Sequence, residues 1–582
     1  MLAIAGISTD YVVMYMRTTQ RRNKDGSVVR YVQLAHNRRE GAKTKAEVLI
    51  NLGREDRLDM AGLRRLAGSI FRYLGDDPAQ ERLAVDDGAG VEADDLRVVS
   101  AKPLGTVWLL DALWARLGIA DALKAAVGGR RFTTDVERVL FALVANRAID
   151  PCSKLAAAEW VSCDVATPGL SEMDEDQAYR AMDVLVDADV EGEVQKAVFF
   201  GAADLLSLEV DLLLFDTTST YWERDEEEGQ DGLRRYGKSK DARPDLPQVV
   251  IGLAVTKEGI PVRVWVWPGN TNDHTVLPQV KDDLRGWRLG RVVTVVDRGF
   301  SSKDNLAYLT RAGGHWIAGE KMRDGQADHD VALSRQGRYK TVRDNLRVKE
   351  VRLPGDERRR FIVCHNTAEA ERDRIKRTET IARLEVELER ITAARARLAK
   401  AKPGKRRDKE QATHTKAECA LRDHPTLGRY LRQLKDGRLR IDRAQVKAEE
   451  RLDGKYLLST SDPDLSAADG ALGYKNLLEA ERGFRDMKST LELRPVFHRL
   501  AHRIHAHVLL CWLALLLIRV AERSTDQTWR RIAAELGRLN EVTLRLDAGT
   551  ATHTSELTDA QRGIFRACDI KVPPRITHLE PT

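Results

Sequence analysis

Between residues 210 and 296 the chain carries four nearly continuous apolar runs, Val210 to Phe215 (VDLLLF), Val249 to Thr256, Ile260 to Trp267 and Arg291 to Val296. Strands apolar at successive positions are covered on both faces, so this region demands a layered core in place of an open sheet. Lys257-Glu258-Gly259 joins the second and third runs as a hairpin turn. Helical spacing marks Thr275 to Arg285 and Lys303 to Ala312, and His315 to Ala318 (HWIA) starts a fifth strand. Three strands, helix, strand, helix and strand predict a mixed α/β architecture.

At 582 residues the chain is too long for one core, and its periodicity divides it. Residues 1–75 read as a small α+β unit: a β-hairpin from Tyr11 to Arg17 and Ser27 to Leu34, a strand at Ala46 to Leu52 and a helix at Met60 to Leu74. Arg17, Arg21, Arg22, Lys24, Arg38, Arg39, Lys43 and Lys45 crowd it, as a solvated rim or as a surface for a DNA backbone. Residues 76–100 read as a linker and 101–208 as an all-α domain; 209–321 hold the first part of the α/β core. An α+β insertion at 322–470 includes strand-like Val348 to Leu353, Arg360 to Cys364, Arg438 to Val446 and Tyr456 to Thr460. Its charged helical arm has Ile381, Leu384, Leu388, Ile391 and Leu398 at coiled-coil spacing and a basic tip, Lys402 to Glu410. The core resumes at 471–525, and 526–582 read as a helical C-terminal region.

Lys plus Arg number 95 and Asp plus Glu 89, a net charge of +6 that says little about partners without local clustering. No run approaches the ~18 apolar residues of a membrane span; the longest, Val508 to Ile518, has the length of a core helix. The first residues lack the basic n-region and cleavage site of a secretion signal. Six scattered cysteines with no CxxC pair exclude a zinc knuckle or disulfide framework and read as reduced thiols of a cytoplasmic protein.

Two of the apolar strands run into aspartates, Asp216 and Asp297, and a helix after the insertion, Gly473 to Lys488 (GYKNLLEAERGFRDMK), carries Glu481. At ~100° per residue a seven-residue step drifts only ~20°, so Tyr474, Glu481 and Lys488 share one face of a continuous helix. Each acid alone is most simply a turn or cap residue. Together, three carboxylates at one sheet edge repel one another unless divalent cations lie between them, and oxygen-only ligands suit Mg²⁺ or Mn²⁺. Two such ions clamp the attacking and leaving oxygens of a phosphoryl transfer, which makes the set a candidate nuclease or polynucleotidyl transferase site.

This order resembles the RNase H-like fold of DDE transposases. The last helix resembles the signature of bacterial insertion-sequence-four-type transposases, Tyr, two residues, Arg, three residues, Glu, six residues, Lys: here Tyr474, Leu477 in place of Arg, Glu481 and Lys488. Tyr236 to Leu253, Pro268 to Thr275 (PGNTNDHT) and Asp297 to Ser302 (DRGFSS) are similar to the same group, which also carries an insertion between its fifth strand and last catalytic helix. The resemblance implies Asp216, Asp297 and Glu481 as catalytic residues holding two Mg²⁺, with Mn²⁺ as substitute. It implies DNA contacts by Tyr474 and Lys488, with Arg482 and Arg485 beside the missing arginine, and the loop residues Lys238, Lys240 and Arg243 as further phosphate contacts. The implied partners are double-stranded DNA with terminal inverted repeats, target DNA and a second copy in a synaptic homodimer, with no membrane. A metal-dependent nuclease without strand transfer, or a non-catalytic DNA-binding descendant, would share these features. Asp273 and His274 fit a turn or a place near the metals, Trp316 a core position or a stacking one, and His498, His502, His505 and His507, near Arg494, Arg499 and Arg503, a basic face.

Overall fold

The computed structural model describes residues 14–22, 28–40, 43–54, 58, 97–128, 134–189, 192–222, 226–229, 232–287, 289, 291–494, 496, 498–546 and 549–581. They form two compact units, Met1–Asp94 and Asp95–Thr582. In the first, β1 (Met14–Arg22), β2 (Val28–Glu40) and β3 (Lys43–Arg54) make an antiparallel sheet in the order β1-β2-β3. The hairpin and third strand are as the alternation predicts. The helix expected at 60–74, and the linker up to residue 96, lie outside the described residues.

The second unit opens with β4 (Arg97–Pro103), where the end of a linker is expected from sequence. The helical stretch follows: α1 (Gly105–Arg116), α2 (Ile119–Val127), α3 (Val136–Ile149), α4 (Lys154–Glu159) running into a π-turn, α5 (Glu175–Ala188) and α6 (Glu193–Leu205). Asp135, Ser153 and Asp174 cap α3, α4 and α5 by accepting backbone N–H groups. These helices are not a separate domain: α3 and α5 pack against a later core helix, and their apolar residues join one continuous cluster with the central sheet.

The chain then builds β5 (Leu212–Tyr221), β6 (Gln248–Thr256), β7 (Pro261–Pro268), α7 (Asp273–Arg285), β8 (Val293–Val296), α8 (Lys303–Thr310) and β9 (His315–Glu320), the order read from the apolar runs. β5, β8 and β9 are parallel, and β6 is antiparallel to both of its neighbours. Every residue of β6 is buried, as strands covered on both faces require. β5 does not stop at Asp216. It continues through Thr217-Thr218-Ser219-Thr220, because β-branched threonines suit a strand and two hydroxyls find partners: Thr217 Oγ1 donates to Asp273 and Ser219 Oγ accepts the Lys240 N–H.

The insertion is not a separate α+β domain. After α9 (Ala327–Ser334), the strands β10 (Lys340–Arg343), β11 (Leu346–Leu353) and β12 (Asp356–Asn366) extend the same sheet. The arm is a helical hairpin of α10 (Thr367–Lys400) and α11 (Lys405–Arg422), with Leu384, Ile391 and Leu398 of the predicted seam buried. Short β13 (Leu431–Gln433) and β14 (Leu439–Ile441) pair with each other, and the rest of the strand expected at 438–446 is α12 (Arg443–Glu450). β15 (Lys455–Thr460) then enters between β12 and β9, giving the sheet order β10-β11-β12-β15-β9-β8-β5-β6-β7 among the described residues.

The helix predicted from Gly473 to Lys488 is two helices, α13 (Ala467–Lys475) and α14 (Leu478–Ser489). The bonds tighten at the break: Leu477 N–H reaches the Tyr474 carbonyl at 3.1 Å and Glu479 N–H the Asn476 carbonyl at 2.8 Å. Tyr474 therefore stands on a different helix from Glu481 and Lys488. Next, α15 (Ala501–Thr525) is long and apolar enough to cross a membrane, a longer stretch than the run read from sequence, and its apolar stretch from Ala506 to Ala521 is buried inside the protein. It is the core helix on which α3 and α5 pack. The C-terminal region is not all helical. Beside α16 (Trp529–Leu536), β16 (Asn540–Leu546), β17 (Gly549–Thr554), α17 (Asp559–Ala567) and β18 (Ile576–Pro581) complete the fold, in a four-stranded sheet ordered β18-β17-β16-β4. Residues near 100 and near 540 thus pair across most of the chain.

Candidate active site

Two of the three predicted acids meet on neighbouring parallel strands. Phe215 of β5 is in register with Val296 of β8, so the next residues, Asp216 and Asp297, stand side by side, about one strand spacing (~4.8 Å) apart. Both are half-buried. Burial pushes the Asp216 carboxyl up to about 6; Lys240 and a hydrogen bond from Thr217 N–H oppose the rise, and the charges of Asp297 and Asp273 add to it. The Thr217 N–H to Asp216 Oδ1 distance is 2.7 Å. The charges acting on Asp216 are thus two carboxylates, Asp297 and Asp273, and one ammonium, Lys240.

Asp273 is the residue that sequence reasoning undervalued. It begins α7, and its carboxylate accepts from Thr217 Oγ1 at 2.6 Å and pairs with Lys240 Nζ at 3.2 Å. Lys240 also donates to the carbonyl and hydroxyl of Thr217, at 2.8 and 2.6 Å. From sequence Asp273 fits either a turn or a place near the metals; the signal that could have decided between them was the unusual Thr-Thr-Ser-Thr run after Asp216.

Tyr474 donates its hydroxyl to Asp297 Oδ1 at 2.6 Å. Burial first, and then the Asp297 charge, raise its phenol well above the ordinary range, so it stays a donor at neutral pH. Gly319 of β9 makes room for it, since any Cβ there would run into the Tyr474 ring and hydroxyl. Beside this pair, a cavity of about 600 Å³ is bordered by Arg298 and Tyr474 and, at the base of the arm, by Arg323, Lys376, Arg377 and Arg429.

α14 lies along β5 and β6, with Gly483 turned to Leu253, the register partner of Asp216. Glu481 sits two residues earlier with its side chain exposed. Among the described residues no three His, Cys, Asp or Glu side chains stand close enough to hold a metal ion, so this structure does not join Glu481 to the two aspartates in one cluster. Lys488 is largely buried and donates to Asp241 Oδ1 at 2.7 Å, and Arg494 forms an ion pair with the same oxygen at 2.6 Å. Burial lowers the Lys488 pKa, against the pull of Asp241. Leu477, where the signature has Arg, is in the core at 6% exposure.

Of the other expected phosphate contacts, Arg482 pairs with Glu479 and Arg243 with Asp245, while Lys238 and Arg485 are exposed. Trp316 is a core residue. The four histidines are not a basic face. His498 and His507 are pushed down by burial first and then by neighbouring cations, His498 to about 3, and His505 is also lowered by burial. His502 faces Asp183 at 3.1 Å.

Comparison with known families decides the class. Residues 211–517, more than half of the chain, match the family model described as transposase DDE domain. The chain belongs to the DDE transposases. The match begins just before β5 and ends inside α15, taking in the whole nine-stranded sheet and the arm. In this transposase, residues 16–81 also match the model described as IS1634 family transposase, N-terminal domain. No curated protein sequence matches the transposase chain. Among solved structures, a cryo-EM structure of the piggyBac transposase synaptic complex with hairpin DNA aligns with 74% of this chain and 79% of that one, at 10% identity and a TM-score of 0.33.

Proposed function

We propose that this transposase belongs to a bacterial insertion sequence, cuts DNA at the element's ends and joins the freed 3′-OH to target DNA in a single RNase H-like site. The observation that carries the proposal is the side-by-side pair Asp216 and Asp297, with the Asp216 carboxyl held up to about 6 by burial and by neighbouring acids. Oxygen-only carboxylates suit a divalent cation, and in this reading Asp216, Asp297 and Glu481, which the structure leaves ungrouped, would hold two Mg²⁺, or Mn²⁺ in their place. When bound, the ions would supply charge neutralisation and polarisation for an in-line phosphoryl transfer.

The chain's own groups prepare the site. Tyr474 fixes the orientation of Asp297 through its hydroxyl, and the Lys240–Asp273–Thr217 network fixes the strand on which Asp216 stands. Lys488 and Arg494, which share Asp241, and exposed Lys238 and Arg485 supply positive charge for the DNA backbone. The partners are double-stranded DNA carrying terminal inverted repeats, then target DNA, with two copies of the chain in the synaptic complex. The test is Mg²⁺-dependent cleavage of end duplexes and strand transfer of pre-cut ends. Glu481→Gln abolishes both in this reading; an unchanged cleavage rate in that variant would remove Glu481 from the site. Cleavage by the wild type without any joining of pre-cut ends would make the enzyme a nuclease.

A further inference from the structure

A second group of charges lies apart from the three acids. The end of α3, the start of α4 and the segment from Glu492 to His507 enclose a cavity of about 540 Å³. Lys154 lines it at 3% exposure, and its Nζ is buried with no hydrogen-bond partner. Arg147, at 4%, donates to the Leu491 and Cys152 carbonyls but leaves Nε without a partner, and His507 leaves Nδ1 without one. Arg494 and Arg503 line the cavity too, each already paired with an aspartate. Among the described lining residues Glu492 is the one carboxylate, and its side chain is exposed.

An unpartnered buried ammonium costs several kcal/mol, and an apolar side chain of the same length would fill the place without that cost. The cations also work against one another: burial first, and then Arg147, push Lys154 down to about 7. What such a cavity lacks is an anion. The unused donors are Lys154 Nζ and Arg147 Nε, groups suited to donating to a small multi-oxygen anion, whereas neutral His507, whose Nε2 donates to the Leu493 carbonyl, leaves Nδ1 as an acceptor. The cavity is also wired to the active-site strand. Trp222, the residue after β5, donates its indole N–H to the His498 carbonyl at 3.2 Å, and Val496 N–H reaches the Tyr221 carbonyl. Along β5, Asp216 and Tyr221 are about 17 Å apart, the span of about five stacked nucleotides.

We propose that this cavity is a phosphate site, and that a phosphodiester of the DNA strand entering the Asp216 site fills it. The pocket itself does not depend on the proposed chemistry; only the source of its phosphate does. The test is thermal melting of the full-length protein at constant ionic strength, with sodium phosphate replacing sodium chloride. Phosphate raises the melting temperature of the wild type and of Lys154→Arg. Lys154→Met melts higher than wild type in chloride, because the buried charge is gone, and loses the phosphate-specific rise. An equal rise in Lys154→Met, or none in the wild type, overturns the site. In a second arm, Lys154→Met lowers the salt slope of end-duplex binding by about one, and Lys154→Arg does not. A phosphate-specific rise with an unchanged slope overturns the DNA source and leaves free phosphate or a nucleotide. Absence of cleavage by the wild type with the phosphate rise intact would instead count against the proposed chemistry.

Discussion

Asp216→Asn should make the metal-free protein more stable while abolishing cleavage. The carboxyl is raised from 3.8 to about 6 in the fold, a difference of about two units and so ~3 kcal/mol between its protonation states. A raised carboxyl favours the folded state only while protonated. Its contribution is fully present below the unfolded value near 4 and is lost as pH rises through about 6. Above that pH the wild type carries the whole cost of a buried anion beside Asp297 and Asp273. Asparagine has the same shape, can still accept the Thr217 N–H and carries no charge. For the unit Asp95–Thr582, an unfolding entropy of ~2.1 cal/mol/K per residue turns ~3 kcal/mol into about 3 °C. Melting curves in EDTA should therefore place Asp216→Asn about 3 °C above wild type at pH 7.5 and level with it near pH 4. Added Mg²⁺ should raise the wild type and leave the variant where it was. Equal melting temperatures at pH 7.5, or the same Mg²⁺ rise in both proteins, would refute the claim that unneutralised charge at Asp216 is what a cation answers.

Gly319→Ala would push the Tyr474 hydroxyl off Asp297, because the new methyl occupies its place. The cleavage rate should fall to the level of Tyr474→Phe, and the double variant should lose no more than either single one; independent losses would show that the two residues act separately. Asp241→Asn strands two cations, Lys488 and Arg494. Thermal melting should show a loss on the order of 3 kcal/mol, smaller when end-duplex DNA is present, since phosphate replaces the missing partner.

The five strands around the aspartates were legible because their apolar runs are continuous, and the arm because Leu384, Ile391 and Leu398 keep coiled-coil spacing. Asp216 and Asp297 were legible as neighbours because apolar residues lead into both. The end of β5 was not, since Thr217 and Ser219 look like loop residues until Asp273 and Lys240 fold back to bond them. Strand sequence does not name its partner. For that reason β11, β12 and β15 read as a separate domain although they extend the central sheet, and Arg97–Pro103 read as the end of a linker and the start of an all-α domain although it pairs with a strand more than 400 positions later. The break at Asn476–Leu477 escaped because both residues keep helical backbone angles, and only the shortened bonds divide the helix. The histidines misled through their polarity: burial leaves His498, and His507 within α15, neutral.

The arm leaves and rejoins the sheet at one point. β12 and β15 are antiparallel neighbours, His365 lies opposite Lys455, and the Asn366 N–H donates to the Gly454 carbonyl at 2.7 Å. In genetic terms the stretch between those two residues is a cassette: a two-residue hairpin turn could bridge its mouth and leave every ladder of the catalytic sheet in register. A lineage could lengthen, exchange or discard the arm by small steps at a single junction, without disturbing the strands that carry Asp216 and Asp297.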